Sequence, residues 1–172
     1  MDEPDPATVA AAKAGDLAAF EVLVRTYQAP VWRFLRHLLG DGDLAEDVTQ
    51  ETFVRVHRKL GSFDGRSRFS TWLFQVARNA GIDAVRSRSR RARLPEHGAG
   101  PASSPELRHE LGAALASLTT DLREALLVVE VLGLGYADAG RLLGVPEGTV
   151  KSRVHRARER VVAWMQAGEL SG

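Results

Sequence analysis

The chain has 172 residues, of which 44% are hydrophobic and 26% charged, proportions typical of a soluble globular protein with one or two small domains. Because it has no cysteine, a disulfide framework, a thiolate metal site and a cysteine nucleophile are excluded. The sequence has no apolar run of membrane-spanning length, and residues 1–6 are acidic rather than basic and apolar, so we expect no membrane span, no signal peptide and a cytoplasmic location.

The net charge of +1 conceals a strong segregation of charge along the chain. Residues 66–93 carry eight arginines against one aspartate, and residues 151–160 carry five basic residues against one glutamate. The remainder of the chain is acidic overall. Two basic blocks in an acidic chain favour two contacts with a polyanion, although solvated helix faces would give the same pattern.

The first two predicted helices follow from apolar spacing. Apolar residues recur every three or four positions over 20–38 and predict an amphipathic helix of about five turns. Pro30 should bend this helix or end its first half. Asp43 and Glu46 have the spacing of a capping box, which predicts a second helix over roughly 44–60.

A third helix and a linker complete the first half of the chain. A short loop over 63–68 precedes a helix that begins near Phe69 and carries one apolar face as far as Ala84. Residues 94–105 contain three prolines and two glycines without a periodic apolar pattern. That composition is typical of a flexible linker and divides the chain into two helical domains.

The segment 136–160 has the form of a helix-turn-helix. Gly144 suits the tight turn because it tolerates positive φ, and Pro146 suits the first turn of the second helix. Val150 and Val154 are four residues apart and should face inward. The opposite face should meet the base edges of DNA with Lys151, Ser152, His155 and Arg156, while Arg153, Arg158 and Arg160 could reach phosphates.

These motifs resemble those of the extracytoplasmic-function (ECF) sigma factors, the smallest type in the sigma-70 family. The segments LTTDLREALLVVEVLGLGYADAG and GVPEGTVKSRVHRARER are similar to the two halves of sigma domain 4. DLAEDVTQETFVRVHRKL resembles the domain 2 helix that binds core RNA polymerase, and FDGRSRFSTWLFQVARNAGIDAVRSRSRR resembles the loop and helix that melt and read the minus-10 element. The similarity covers roughly residues 16–163 and implies the minimal two-domain form.

The resemblance implies domain boundaries and partners. Domain 2 would span 1–93, with 1–6 disordered, and domain 4 would span 106–172. The expected partners are the beta-prime clamp helices and beta flap of core RNA polymerase, promoter DNA and, as for many relatives, an anti-sigma protein. Association with the nucleoid would occur through the polymerase.

The resemblance also implies three sets of contact residues. The clamp helices would meet Asp47, Gln50, Glu51, Phe53 and Val54. The spacing of all but Phe53 is compatible with an interface on one helix face, and Phe53 could equally belong to the core. The melted minus-10 strand would meet the loop Asp64, Gly65, Arg66, Ser67 and Arg68, which would form a pocket for one flipped base, and the helix residues Gln75, Arg78, Asn79 and Arg86. The minus-35 duplex would meet Thr149, Lys151, Ser152, Arg153, His155, Arg156 and Arg158.

An enzyme is not expected. The sequence has no nucleophile elbow, phosphate-binding glycine loop or HExxH motif, and its five histidines lack ligand spacing, so neither catalytic residues, a metal nor another cofactor is predicted. Two alternatives remain. A stand-alone helix-turn-helix regulator would bind an operator as a dimer, and a helical adaptor would bind protein alone.

Overall fold

The computed structural model describes residues 3–91 and 106–169, and side chains over 3–88 and 111–167. All elements in these ranges are helical, which confirms the all-α prediction. The chain folds into two compact units, Met1–His97 and Gly98–Gly172, in agreement with two helical domains. The predicted linker 94–105 lies outside the described residues and stays a prediction.

The N-terminal unit is built around three long helices. Tyr27, Val31 and Phe34 of the first long helix are completely buried, as are Leu73 and Phe74 of the third. The phenyl rings of Phe34 and Phe74 meet edge to face at 5.7 Å. The helices are α1 (Pro6–Lys13), α2 (Leu17–Leu39), α3 (Gly42–Lys59) and α4 (Phe69–Arg91), with a 3-10 turn at Leu60–Ser62.

Two predicted details of α2 and α3 differ from the structure. α2 is continuous through Pro30, so the proline does not end it. The proline costs one intrahelical hydrogen bond, and burial of the apolar face of α2 before and after Pro30 outweighs that loss. α3 begins at Gly42, because the N-cap is Asp41, whose carboxylate accepts from the Leu44 amide at 3.1 Å. The predicted cap at Asp43 lies instead in the first helical turn.

The N-terminal segment also differs from expectation. Disorder is expected over residues 1–6, yet α1 begins at Pro6 and Asp5 caps it by accepting from the Ala7 amide at 2.9 Å. Val9 and Ala12 of α1 are buried against the unit. The described part of this segment is therefore packed onto the N-terminal unit.

The C-terminal unit is a small bundle ending in a helix-turn-helix. Its helices are α5 (Glu106–Ala116), α6 (Thr120–Leu126), α7 (Tyr136–Leu143) and α8 (Glu147–Glu169), with a π-helical segment at Leu127–Val131. Val150 and Val154 of α8 are 0% and 1% exposed, so they face inward as the spacing predicts. α8 begins at Glu147, so Pro146 lies directly before the first helical turn rather than within it.

The turn between α7 and α8 depends on two glycines. Gly144 ends α7 with φ 69°, a left-handed conformation that favours glycine. Gly140 lies directly beneath the turn, where an added Cβ would stand 2.8 Å from the carbonyl oxygen of Val145. The Val145 amide donates to the Gly140 carbonyl at 3.1 Å. The absent side chain lets the turn lie against α7 and sets the position of α8.

Candidate protein and nucleic-acid interfaces

The predicted protein-binding face of α3 is exposed and borders a shallow groove. Asp47, Gln50 and Val54 are exposed, Val54 to 43%, while Phe53 is half-buried. The groove has a volume of about 420 Å³ and is lined by Phe20, Gln50, Phe53, Val54, His57 and Arg58. An apolar floor with a polar rim is suited to burying a side chain of a protein partner.

Three of the groove residues were missed by the sequence analysis. Phe20 lies on α2, and its ring meets the imidazole of His57 edge to face at 4.9 Å. Arg58 follows on α3 and completes the rim. No signal in the sequence links Phe20 to His57, because the packing of α2 against α3 alone brings them together.

Glu51 differs from its neighbours on the α3 face because it is engaged in an ion pair. The Arg55 guanidinium contacts Glu51 at 2.8 Å and Asp83 of α4 at 2.8 Å. The hydrogen bond that Arg55 donates to Glu51, followed by the one it donates to Asp83, raises the pKa of Arg55. Arg55 therefore links α3 to α4 through Asp83 and bonds to Glu51 within α3, whereas Asp47 and Gln50 have no such ion pair in the described contacts.

The predicted base-capturing loop is exposed and internally ordered. The Asp64 carboxylate accepts from the Arg66 amide at 3.0 Å and forms an ion pair with the Arg66 guanidinium at 3.2 Å. Gly65 has φ 74°, which lets the chain turn tightly between them. Arg66 and Arg68 are both exposed, so this loop presents its cations to solvent.

Aromatic side chains support the loop from beneath. Trp72 is half-buried, with its ring 5.3 Å from Phe63 and 5.8 Å from Phe69. Phe63 precedes the loop and Phe69 follows it, so the three rings form one cluster under its two ends. This packing agrees with a core role for Trp72, which its phase with Phe69 predicts.

The four polar residues predicted to contact DNA on α4 differ in exposure. Gln75, Asn79 and Arg86 are exposed, whereas Arg78 is half-buried. Arg88, in the same basic block, contacts Asp41 at 2.6 Å. That hydrogen bond, together with the one from the Leu44 amide, lowers the pKa of Asp41. Arg88 is thus bound to the N-cap of α3, and one cation of the block is used inside the unit.

The outward face of α8 carries the predicted base-reading side chains. Lys151, Ser152, His155 and Arg156 are all exposed, opposite the buried valines. The Ser152 hydroxyl donates to the Thr149 carbonyl at 2.9 Å, and Arg156 Nε donates to the Ser152 carbonyl at 3.3 Å. Thr149 is half-buried at the start of this face.

Two arginines predicted to reach phosphates have partners within the unit. Arg153 contacts Asp121 of α6 at 2.6 Å, and Arg158 contacts Glu130 of the π-helical segment. The hydrogen bond that Arg158 donates to the Glu130 carboxylate raises the pKa of Arg158. Both pairs hold α8 to the rest of its unit, so a phosphate would have to compete with a carboxylate for either guanidinium.

The described ranges offer neither a cluster of metal ligands nor a membrane-spanning helix. There, three or more histidine, aspartate or glutamate side chains do not gather within reach of one metal ion. Over the same ranges, every helix lacks either the length or the apolar character needed to cross a bilayer.

Two family models match the chain. Residues 23–91 match Sigma-70 region 2, and residues 108–161 match Sigma-70, region 4. The curated ECF RNA polymerase sigma factor SigC of Mycobacterium tuberculosis is 40% identical, over 99% of this chain and 96% of that protein. ECF RNA polymerase sigma factor SigM of Bacillus subtilis is 34% identical, over 85% and 94%.

Solved structures give the same similarity in three dimensions. CnrH, in complex with the cytosolic domain of CnrY, matches with a TM-score of 0.77 and 27% identity, over 95% of this chain and 97% of that one. The sigma factor RpoE of Bartonella quintana, in complex with the anti-sigma factor NepR, matches with a TM-score of 0.74 and 30% identity, over 86% and 96%.

Proposed function

The chain belongs to the ECF sigma factors of the sigma-70 family, which are not themselves enzymes, and on this premise we propose which of its surfaces serves each step of transcription initiation. The N-terminal unit binds core RNA polymerase and reads the melted minus-10 element. The C-terminal unit contacts the beta flap and reads the minus-35 duplex. One observation carries this division. The apolar groove beside Asp47 on α3 and the exposed basic side chains of α8 occur on separate units of one chain.

The polymerase contact is assigned to the α3 face. Val54 and the floor of the groove offer apolar area, and Asp47 and Gln50 offer polar contacts beside it. The beta-prime clamp helices are the proposed partner. Glu51 belongs to the same face; its ion pair with Arg55 lies within α3, and Arg55 in turn contacts Asp83 of α4.

The melted strand is assigned to the loop 64–68 and to α4. An unpaired base needs a pocket that it can enter and groups that bond to its edges. The exposed loop supplies peptide groups and the Asp64 carboxylate, and Asn79 and Gln75 continue the polar surface along α4. Exposed Arg66, Arg68 and Arg86 supply salt-dependent attraction to phosphates, and half-buried Arg78 lies beside them.

The minus-35 duplex is assigned to the outward face of α8. Lys151, Ser152, His155 and Arg156 lie on one side of the helix, so they can enter one major groove together. Thr149, Arg153 and Arg158 flank this set. Base contacts on this face provide sequence preference, whereas phosphate contacts provide affinity without preference.

A regulatory partner and a compartment follow from the same premise. Since two similar solved structures are complexes of a sigma factor with a cytosolic domain or an anti-sigma factor, an anti-sigma protein is a proposed partner of this chain. Because the chain would act on core RNA polymerase, its proposed location is the cytoplasm, in association with the nucleoid.

The test is reconstitution with core RNA polymerase. The chain is expected to co-purify with core polymerase and to confer promoter-dependent transcription on it. Replacing residues 64–67 by a Gly-Ser loop should leave core binding intact and reduce permanganate-detected opening of duplex promoters. Arg25→Ala, on the exposed surface of α2, is the matched control. Normal opening by the loop variant would make the loop a mere connector, and DNA binding without polymerase would indicate a stand-alone regulator.

A further inference from the structure

α4 begins without a capping side chain at its own N-cap position. The Arg68 carbonyl accepts the first helical hydrogen bond of α4, from Trp72 at 3.2 Å, so Arg68 occupies that position. A guanidinium has no acceptor and cannot bond to the free amides of the first turn. Those amides need an acceptor from elsewhere, since unbonded amides weaken a helix end.

Glu3, which lies far from α4 in sequence, provides that acceptor. Its Oε2 accepts from the Phe69 amide at 2.9 Å and from the Ser70 amide at 3.4 Å. Its Oε1 accepts from the Ser70 hydroxyl. A carboxylate at this place also meets the positive end of the helix dipole. The first turn of α4 is thus capped by a residue 66 positions earlier in the chain.

The same N-terminal segment holds the other end of the loop. The ammonium of Lys13, the last residue of α1, donates to the Phe63 carbonyl at 2.5 Å. Phe63 directly precedes the loop 64–68 and Phe69 directly follows it. Buried Val9 and Ala12 anchor α1 between the two contacts. Residues 3–13 therefore form hydrogen bonds at both ends of the loop.

We propose that Glu3 and Lys13 are positioning residues for reading of the melted minus-10 strand. This inference rests on the proposed function of the loop 64–68. With both ends held, the loop populates fewer conformations before DNA arrives, and less of the binding energy is used to order it. Without the Glu3 cap, the first turn of α4 frays and carries Ser67 and Arg68 away from the pocket.

The experiment uses reconstituted holoenzyme and single-stranded non-template oligonucleotides from a library randomised over the minus-10 positions. Glu3→Ala should weaken binding of the preferred strands by about three- to tenfold, the range expected for a lost helix cap. Lys13→Met should act in the same direction, and both should flatten the base preference. Glu21→Ala and Arg25→Met, which remove an acid and a base from the exposed surface of α2, are the matched controls. Affinity for core polymerase is measured in parallel.

A local cap separates positioning from a general loss of stability. Arg68→Ser places a hydroxyl acceptor at the N-cap of α4. In that background Glu3→Ala should cost less than about twofold, so the double-mutant cycle should show coupling. Equal losses in both backgrounds would overturn the capping role. A loss of core binding that matches the loss of DNA binding would mean that Glu3 only stabilises the unit.

Two further outcomes distinguish this inference from the function it rests on. If the Gly-Ser loop variant loses minus-10 preference while Glu3→Ala and Lys13→Met keep it, the positioning role is wrong and the loop assignment stands. If the loop variant also binds and discriminates like the unsubstituted chain, the loop does not read the strand, and both proposals fail.

Discussion

Arg156 and Arg158 lie two residues apart on α8, yet their surroundings differ. Arg156 is exposed and bonds only to the Ser152 carbonyl of its own helix in the described contacts. Arg158 is engaged with the Glu130 carboxylate. A guanidinium with weak internal bonds can turn to the two acceptors of a guanine, whereas one held by a carboxylate must first give up that partner.

Arg156→Ala is expected to change sequence preference. Loss of a bidentate base contact should cost about 1–3 kcal/mol on the cognate minus-35 element and relax preference at one base position. The measurement is holoenzyme binding and transcription over a library of minus-35 variants. An even loss across the library would mean a phosphate contact and a recognition face rotated from the one proposed.

Arg158→Ala is expected to act alike on all sequences. If Arg158 meets a phosphate, its removal makes the negative slope of log binding constant against log salt concentration shallower by about one unit. Glu130→Gln supplies the opposite change, because it frees Arg158 for DNA, and should strengthen binding at low salt. If neither variant changes the salt slope, Arg158 serves only to hold α8 to the π-helical segment.

At the scale of elements, the side chains of α3 that are proposed to bind polymerase are separate from the contacts that keep the helix folded. Thr49 and Thr52 are buried and donate to carbonyls of their own helix at 2.6 and 2.7 Å. Arg55 ties the helix to α4. Asp47 and Gln50 lie on the exposed side, so they can be changed without removing these contacts.

Asp47→Arg combined with Gln50→Ala should weaken assembly with core RNA polymerase and leave helicity unchanged. The charge reversal places a cation where the clamp partner would meet a carboxylate. Loss of charge complementarity at an interface reduces affinity. Size-exclusion or native-gel binding measures the assembly, and circular dichroism measures helicity. Glu21→Arg, an equal reversal on the exposed surface of α2, should bind normally. Undiminished assembly of the double variant would remove α3 from the interface.

At the scale of the whole molecule, the two units have separate cores. Buried side chains of the N-terminal unit belong to α1–α4, the 3-10 turn and Phe63. Those of the C-terminal unit belong to α5–α8, the π-helical segment and the connecting residues Leu118, Leu132 and Leu134. Because each unit buries its own apolar surface, loss of one core should leave the other folded.

Val150→Asp tests this independence. Val150 is 0% exposed, and an unpaired carboxylate there should unfold the C-terminal unit. Minus-35 binding should be lost, while core binding through α3 should persist and circular dichroism should fall only by the share of that unit. Val162→Asp, on the same helix at a position 52% exposed, is the control and should fold normally. A fall in circular dichroism beyond the share of the C-terminal unit would contradict separate cores.

The sequence by itself determined the helical class, the helix-turn-helix and the family. Apolar residues at helical spacing set which face of each helix is buried, and Val150 and Val154 lie on the predicted side because that relation is local. The charge blocks also identified the two basic surfaces. Spacing within one helix is sufficient to predict the buried faces, whereas the family follows from the resemblance of whole motifs.

The contacts that charged and aromatic side chains make with distant residues of the chain follow only from the tertiary structure. Phe20 meets His57, Arg88 meets Asp41, and Arg158 meets Glu130, across gaps in the sequence that carry no periodic signal. The clearest case is Glu3, which lies in a segment expected to be disordered and instead caps α4. A cap drawn from a distant segment depends on how helices pack, and no local pattern around Arg68 encodes it.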